Sequence, residues 1–270
     1  MNMPKLLFLK LGGSIITNKD QTNTPDLQRI EAIAHDIKQA MDQDSSLTLL
    51  IGHGSGSFGH HAAKKYGTRN GVTSQEGWLG FSEVALRARE LNQIIFDRLV
   101  AAGIKAISVS PFSGIQAENC RITNWDTSII SDCLYQHLVP VIYGDVILDR
   151  RLGGTILSTE ELFAYLAPRL QPERILLAGL EEGVWKDFPQ KTQLINEIHP
   201  DDIAALQAEI RGSGSIDVTG GMFTKVQLMI GLLKQLPSLE VQIFSGSTPG
   251  NVQALLMGEH KGTLIRNPKG

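Results

Sequence analysis

Absences narrow this sequence first. It has only two cysteines in 270 residues, Cys120 and Cys133, with no C-x-x-C pair. That excludes a disulfide framework and a zinc-finger spacing, and makes a reducing cytoplasm the default expectation. It has no run of Lys or Arg, and its net charge is −3, which argues against a nucleic-acid binder or a protein of anionic membrane surfaces. No stretch approaches the ~20 apolar residues that a membrane span needs. The apolar run near the N-terminus is cut at Lys10, too soon for a secretion-signal core. The protein-kinase triplets H-R-D and D-F-G are missing, as is the phosphate-loop pattern G-x-x-x-x-G-K-[ST]. No repeat or low-complexity linker interrupts the chain. What remains, 42% hydrophobic and 20% charged, suits a globular protein with a substantial core.

What is plentiful is glycine, with 27 residues, and it clusters. Gly52-His53-Gly54-Ser55-Gly56-Ser57-Phe58-Gly59-His60 follows the apolar run Leu47 to Ile51 and leads into Ala62 to Tyr66. A strand therefore delivers a glycine-rich turn to the start of a helix. Glycines let the backbone approach an anion, and the helix N-terminus adds partial positive charge. Gly54-x-Gly56-x-x-Gly59 formally matches the dinucleotide-binding pattern, but that fold needs a second strand ending in an acid about twenty residues on. Here the segment before Glu76 has no apolar run.

Leu6 to Leu11 predicts a buried strand that opens into Gly12-Gly13-Ser14. Lys10 lies inside it and must reach the strand's end or meet an anion there. Asp26 predicts the N-cap of a helix from Leu27 to about Gln43. The pattern continues with a long helix from about Ser74 to Ala102, a strand at Ile104 to Val109, a hairpin within 115–123 and a helix from Thr127 to Gln136. Then come a strand at Val139 to Tyr143, a turn at Asp149 to Gly154, a helix opened by the capping-box pair Ser158 and Glu161, and a strand at Arg174 to Ala178. Gly179 to His199 reads as irregular or hairpin, Pro200 as a helix start and Gly212 to Ser215 as a hinge. Gly220-Gly221 reads as a turn into a helix ending near Gln235, followed by a strand at Val241 to Phe244 and a helix at Asn251 to Met257. Such alternation predicts a mainly parallel sheet covered on both faces. Asp145 follows a strand at the edge where open α/β sheets bind ligands; it reads equally as an organiser of lysines or Mg²⁺ and as a turn cap.

Three glycine turns, Gly12-Gly13, Gly54 to Gly59 and Gly220-Gly221, two of them close to Lys10 and Lys225, suit phosphoryl transfer. That reaction must neutralise negative charge with fixed donors. Together Lys10-Leu11-Gly12-Gly13-Ser14, the Gly52 to Gly59 turn, Gly144-Asp145 and Gly220-Gly221-Met222-x-x-Lys225 resemble the amino acid kinase superfamily from about residue 5 to 265. Within it, Gly56-Ser57-Phe58-Gly59-His60 and Asp217-Val218-Thr219-Gly220-Gly221-Met222 are most similar to the branch that phosphorylates isopentenyl phosphate.

The resemblance implies one open α/β/α sandwich over 1–270, acceptor-binding to about 170 and nucleotide-binding beyond. It also implies a homodimer, and transfer of the γ-phosphoryl of Mg-ATP to a small alkyl phosphate. Lys10, Leu11, Gly12, Gly13, Ser14, Lys19, Gly56, Gly220, Gly221 and Lys225 would line ATP; Lys10, Lys19, Lys225 and His60 would be catalytic. Ser55, Gly56, Gly59, His60 and Thr159 would face the acceptor phosphate, with Trp78 and Phe81 along its tail. His60 reads alternatively as a surface residue beside His61, and Trp78 and Phe81 as core. Ser55, Thr159 and Leu180 depart from the family pattern; Leu180 removes a carboxylate from the nucleotide side. A kinase of another phosphate or phosphonate, such as fosfomycin, and a non-catalytic nucleotide sensor are the competing functions.

Overall fold

A computed structural model describes residues 5–18, 20–203, 206 and 216–268. In chain order, β1 (Lys5–Leu11) leads through one helical turn, α1 (Gly13–Ile16), to α2 (Leu27–Gln43) and β2 (Leu47–His53). Next are α3 (Gly56–Tyr66), α4 (Gln75–Ala101), β3 (Ala106–Ser108), β4 (Ile115–Glu118), β5 (Arg121–Trp125), α5 (Ser128–Tyr135) and β6 (Val139–Tyr143). Then follow β7 (Asp145–Asp149), β8 (Gly153–Leu157), α6 (Thr159–Leu170), β9 (Arg174–Gly179), β10 (Val184–Trp185), β11 (Leu194–Ile195) and β12 (Glu197–Ile198). The chain closes with α7 (Ile216–Leu233), β13 (Glu240–Ser245), α8 (Asn251–Leu256) and β14 (Thr263–Ile265).

The main sheet has the order β12-β14-β13-β9-β1-β2-β6-β3. Among the described residues, only β13 and β14 pair antiparallel in it. The second sheet, β5-β4-β7-β8, has four strands, and β10 pairs with β11. Alternation along β1 explains the layering, because successive side chains of a strand face opposite sides. Leu6 and Phe8 pack with Phe163 of α6 and Ile230 of α7, whereas Leu7, Leu9 and Leu11 pack with α2 and α4 through Ile33 and Ile95. Lys10 therefore shares the α6–α7 side with Phe8, while His53, on the same face of β2 as Leu49 and Ile51, looks toward α4.

Local signals mostly hold. Asp26 accepts from Arg29 N at 3.1 Å and caps α2, Ser74 caps α4, and Ser158 with Glu161 forms the capping box of α6. The structure departs from the sequence pattern in six places. α3 starts at Gly56, inside the glycine motif rather than after it. Gly220 and Gly221 lie within α7, not in a turn before it. Pro200 opens a 3-10 turn, Pro200–Asp202, and the hinge expected at 212–215 lies outside the described residues. β7, β8 and β14 were not expected as strands; β7 follows β6 after a single residue, so the pair reads as one apolar run.

The C-terminal ends of β1 and β2 carry the two glycine turns, and these turns touch. Gly54 N donates to Leu11 O at 3.0 Å. A Cβ on Gly13 would overlap the backbone of Gly56, whose φ is +48°. Gly13→Ala should therefore lower stability by about 1–3 kcal/mol through overpacking, read as a reduced denaturant midpoint. An unchanged midpoint would mean that the turns do not abut.

Candidate functional site

β1 ends with Lys10 directed at the start of α6. Its Nζ lies 2.6 Å from Glu160 Oε1, and Lys225 Nζ of α7 lies 3.8 Å from the same oxygen. Both Lys10 and Glu160 are buried, at 7% and 6% exposure. Burial alone would raise the Glu160 carboxyl, but the charges of Lys10 and Lys225 outweigh it and hold the pKa below the usual value. Two cations thus converge on one carboxylate at the sheet edge. Helix capping presents this acid: Ser158 N donates to Glu161 Oε2 at 2.7 Å, and Arg69 Nη2 donates to Glu161 Oε1 at 2.6 Å. Glu161 is thereby held outside while Glu160 turns inward. Sequence reasoning missed Glu160, because two acids in a helix's first turn read as dipole partners. Asp145, the candidate organiser, is not the carboxylate found between these lysines.

The glycine turns sit beside this cluster. Gly12 N donates to Ala178 O at 2.8 Å, which brings the turn after β1 against β9. One hydroxyl bridges the turns: Thr17 Oγ1 donates to Gly13 O at 2.7 Å and accepts from Ser57 N at 3.0 Å. The N-terminal turn of α3 therefore opens at Gly56, with Ser55 before it, Gly59 buried against the Ser55 side chain and His60 exposed. A helix N-terminus favours phosphate through its dipole, although here the Ser57 N–H is already taken by Thr17. Ser14 and Leu180 line an open cleft of about 610 Å³ with Thr17, Asn18 and Asp20. Lys19 lies outside the described residues. Gly220 and Gly221 occupy α7 ahead of Lys225. Thr159 is buried, and its hydroxyl donates to His53 O at 2.6 Å.

α3 and α4 pack together, so the aromatic start of α4 lies beside the helix that carries His60. Trp78 and Phe81 meet edge to face at 5.2 Å, and Phe81 meets Phe112 in the same manner at 6.0 Å. Phe81 is buried at 6% exposure, while Trp78 and Phe112 are each 37% exposed. The Phe81 and Trp78 rings lie over Gly154, where a Cβ would strike Phe81. The result is an apolar wall with an open side. Phe112 was missed because it sits in a short 3-10 turn, Pro111–Ser113, far from α4 in sequence.

Two buried groups beneath the turns titrate in opposite senses. Burial pulls His53 from 6.5 down to about 4, leaving the ring neutral at physiological pH. Burial pushes Asp145 from 3.8 up to about 7, against opposing help from the Val146 N–H and the Arg89 charge. Between about pH 4 and 6.5 the unfolded chain protonates at position 53 while the native state does not, so His53 makes stability rise with pH. Between about pH 4 and 7 native Asp145 keeps a proton that the unfolded chain has lost, so it makes stability fall as pH rises. Asp145→Asn should remove only the falling contribution. Unfolding free energy should then gain about 2 kcal/mol more than wild type between pH 5 and pH 7, measured by urea titration at both. Parallel profiles would show Asp145 ionised in the native state.

The amino acid kinase family model matches residues 5–245. The isopentenyl phosphate kinase of Methanothermobacter thermautotrophicus is 36% identical over 272 residues, which cover 96% of this chain and 98% of that protein. The isopentenyl phosphate kinase of Methanocaldococcus jannaschii is 35% identical over 269 residues, with 96% and 98% coverage. An X-ray structure of isopentenyl phosphate kinase matches this fold with a TM-score of 0.81 at 34% identity, covering 96% of this chain and 99% of that one.

Proposed function

The chain belongs to the amino acid kinase family and to its isopentenyl phosphate kinases, and we propose that it transfers the γ-phosphoryl group of ATP to isopentenyl phosphate, giving isopentenyl diphosphate and ADP. The observation that carries this reading is the Lys10–Glu160–Lys225 cluster beside two abutting glycine turns. Phosphoryl transfer is achieved largely by positioning and charge stabilisation, and this edge supplies both. Lys10 and Lys225 take the charge that develops on the transferring group and on ADP. Glu160 fixes both ammonium groups without cancelling them. Lys19 joins them at the nucleotide phosphates, with the Gly13, Ser14 and Gly56 backbone; Leu11 and Gly12, paired in and beside the sheet, and Gly220 and Gly221, inside α7, contribute close approach rather than donors.

The acceptor is already an anion. A phosphate monoester has a second pKa of about 6, so its attacking oxygen needs no general base at neutral pH. It attacks the γ-phosphorus in line, a new P–O bond forms, and the bond to the β,γ-bridging oxygen breaks with its electron pair leaving on ADP. His60, flanked by two anions, orients the acceptor as a hydrogen-bond donor, and Ser55, Gly59 and the Thr159 backbone complete the phosphate site. Trp78 and Phe81, joined by Phe112, border the apolar tail.

Mg²⁺ belongs with the nucleotide in this reading. It is usually bound through substrate phosphates and one or two carboxylates; the nearby buried carboxylate, Glu160, is engaged by two lysines. The acceptor occupies the part up to about residue 170 and ATP the remainder. A homodimer fits the exposed Ile107 on edge strand β3 and the exposed Ile129 and Tyr135 on α5. The composition suits a cytoplasmic enzyme, and no helix among the described residues is long and apolar enough to cross a membrane.

ADP release from Mg-ATP should be fast and saturable with isopentenyl phosphate, and slow with fosfomycin. Turnover only with another acceptor would keep the chemistry and discard this substrate. His60→Gln should lower kcat/KM for the acceptor on the order of 10²-fold with ATP affinity nearly unchanged; full acceptor turnover would remove His60 from the site. Glu160→Gln leaves Lys10 buried beside Lys225 without a counter-charge, and should cost about 3 kcal/mol or more of stability together with most of the turnover. Wild-type values of both would show the ion pair to be dispensable.

A further inference from the structure

β2 ends in a histidine that the reaction itself does not touch. His53 is wholly buried on the α4 side of the sheet, stacked on Tyr143 of β6 with ring centroids 5.5 Å apart and planes 14° from parallel. Its Nδ1 lies 3.0 Å from Gly54 O, inside the glycine motif. Its Nε2 lies 3.2 Å from the Asn92 side-chain amide on α4, and the other end of that amide lies 2.7 Å from Ser108 Oγ on β3. The His53 carbonyl is held as well, accepting from Gly144 N at 3.1 Å and Thr159 Oγ1 at 2.6 Å.

A singly protonated imidazole has one ring proton to place. On Nε2 it donates to Asn92 Oδ1 but leaves the Nδ1 lone pair facing the lone pairs of Gly54 O. On Nδ1 it donates to Gly54 O, and Nε2 then accepts from the Asn92 NH2 once the amide is turned by 180°, an orientation set by the hydrogen-bond network. The Asn92 carbonyl in turn accepts from the Ser108 hydroxyl. Only the second arrangement gives every buried polar atom in the row a complementary partner. It has a consequence for the turn, since C=O and N–H point in opposite directions across a trans peptide. With the Gly54 carbonyl pinned toward the imidazole, the Ser55 N–H is aimed away from it, out of the core.

We propose that His53 is a positioning residue for phosphoryl transfer: held as the Nδ1–H tautomer by Asn92 and Ser108, it locks the Gly54–Ser55 peptide so that the Ser55 N–H meets the acceptor phosphate. This rests on the isopentenyl phosphate reading above. Nitrogen-15 NMR of histidine-labelled protein at neutral pH should give His53 a pyrrole-type Nδ1 and a pyridine-type Nε2; the reverse pair would overturn the relay.

Kinetics test the positioning. His53→Phe keeps the ring on Tyr143 and removes the donor, and should lower kcat about tenfold or more with the apparent ATP KM within about threefold. His53→Asn keeps a donor near Nδ1 and should recover most of kcat. Wild-type kcat in a folded His53→Phe protein would overturn the role, as would equal losses in both variants. If His53→Phe does not fold, Asn92→Leu, which removes only the support at Nε2, should still lower kcat; an unchanged kcat there would overturn the relay. Absence of isopentenyl phosphate turnover by the wild-type enzyme would instead overturn the assigned reaction, and the positioning role with it.

Discussion

A buried ion pair sets the terms for the rest of this molecule. Lys10 and Glu160, 2.6 Å apart, have both been taken out of water, and each would be costly to leave alone there. Their pairing requires β1 and the first turn of α6 to meet at one point. That meeting is what aligns the strand edge with the helix start. Lys225, arriving from α7 at 3.8 Å, adds a second cation to a single carboxylate. The cluster therefore ties three elements, β1, α6 and α7, to a single carboxylate.

Around that cluster the fold uses its parallel strands as a register for backbone donors. β1 and β2 run side by side, with Lys10 opposite Gly52 and Leu11 opposite His53, so their turns emerge at the same height. Beneath them the polar side chains are committed to one another. Thr159 holds the His53 carbonyl, and Arg69 with Ser158 holds Glu161. Thr159 and Glu161 are thereby held to one orientation, which is the form of preorganisation that charge-stabilised reactions need.

The strands and long helices were legible because their signals are local: alternation in β1 and β2, the Asp26 and Ser158 caps, the apolar face of α2. Lys10 was legible as a problem, a lysine inside a buried strand, and its solution lay 150 residues away. Nothing in the spacing around Glu160 separates it from Glu161; only the packing of α6 against β1 decides which acid turns inward. Phe112 was hidden for the same reason, since its partner Phe81 is remote in sequence. Gly220-Gly221 misled in the opposite direction. Paired glycines favour turns, yet here they lie within a helix that also packs Val226, Met229 and Ile230 into the core. β7, β8 and β14 escaped because a one-residue break, a glycine-rich start and a three-residue length carry little periodicity.

The bridge made by Thr17 between Gly13 and Ser57 joins the two turns mechanically as well as geometrically. Each turn is a loop whose ordering has an entropic cost, and they share one hydroxyl and one van der Waals boundary. Because they share that boundary, a shift of either turn has to be taken up by the other, and the two behave as one continuous wall rather than as two independent loops.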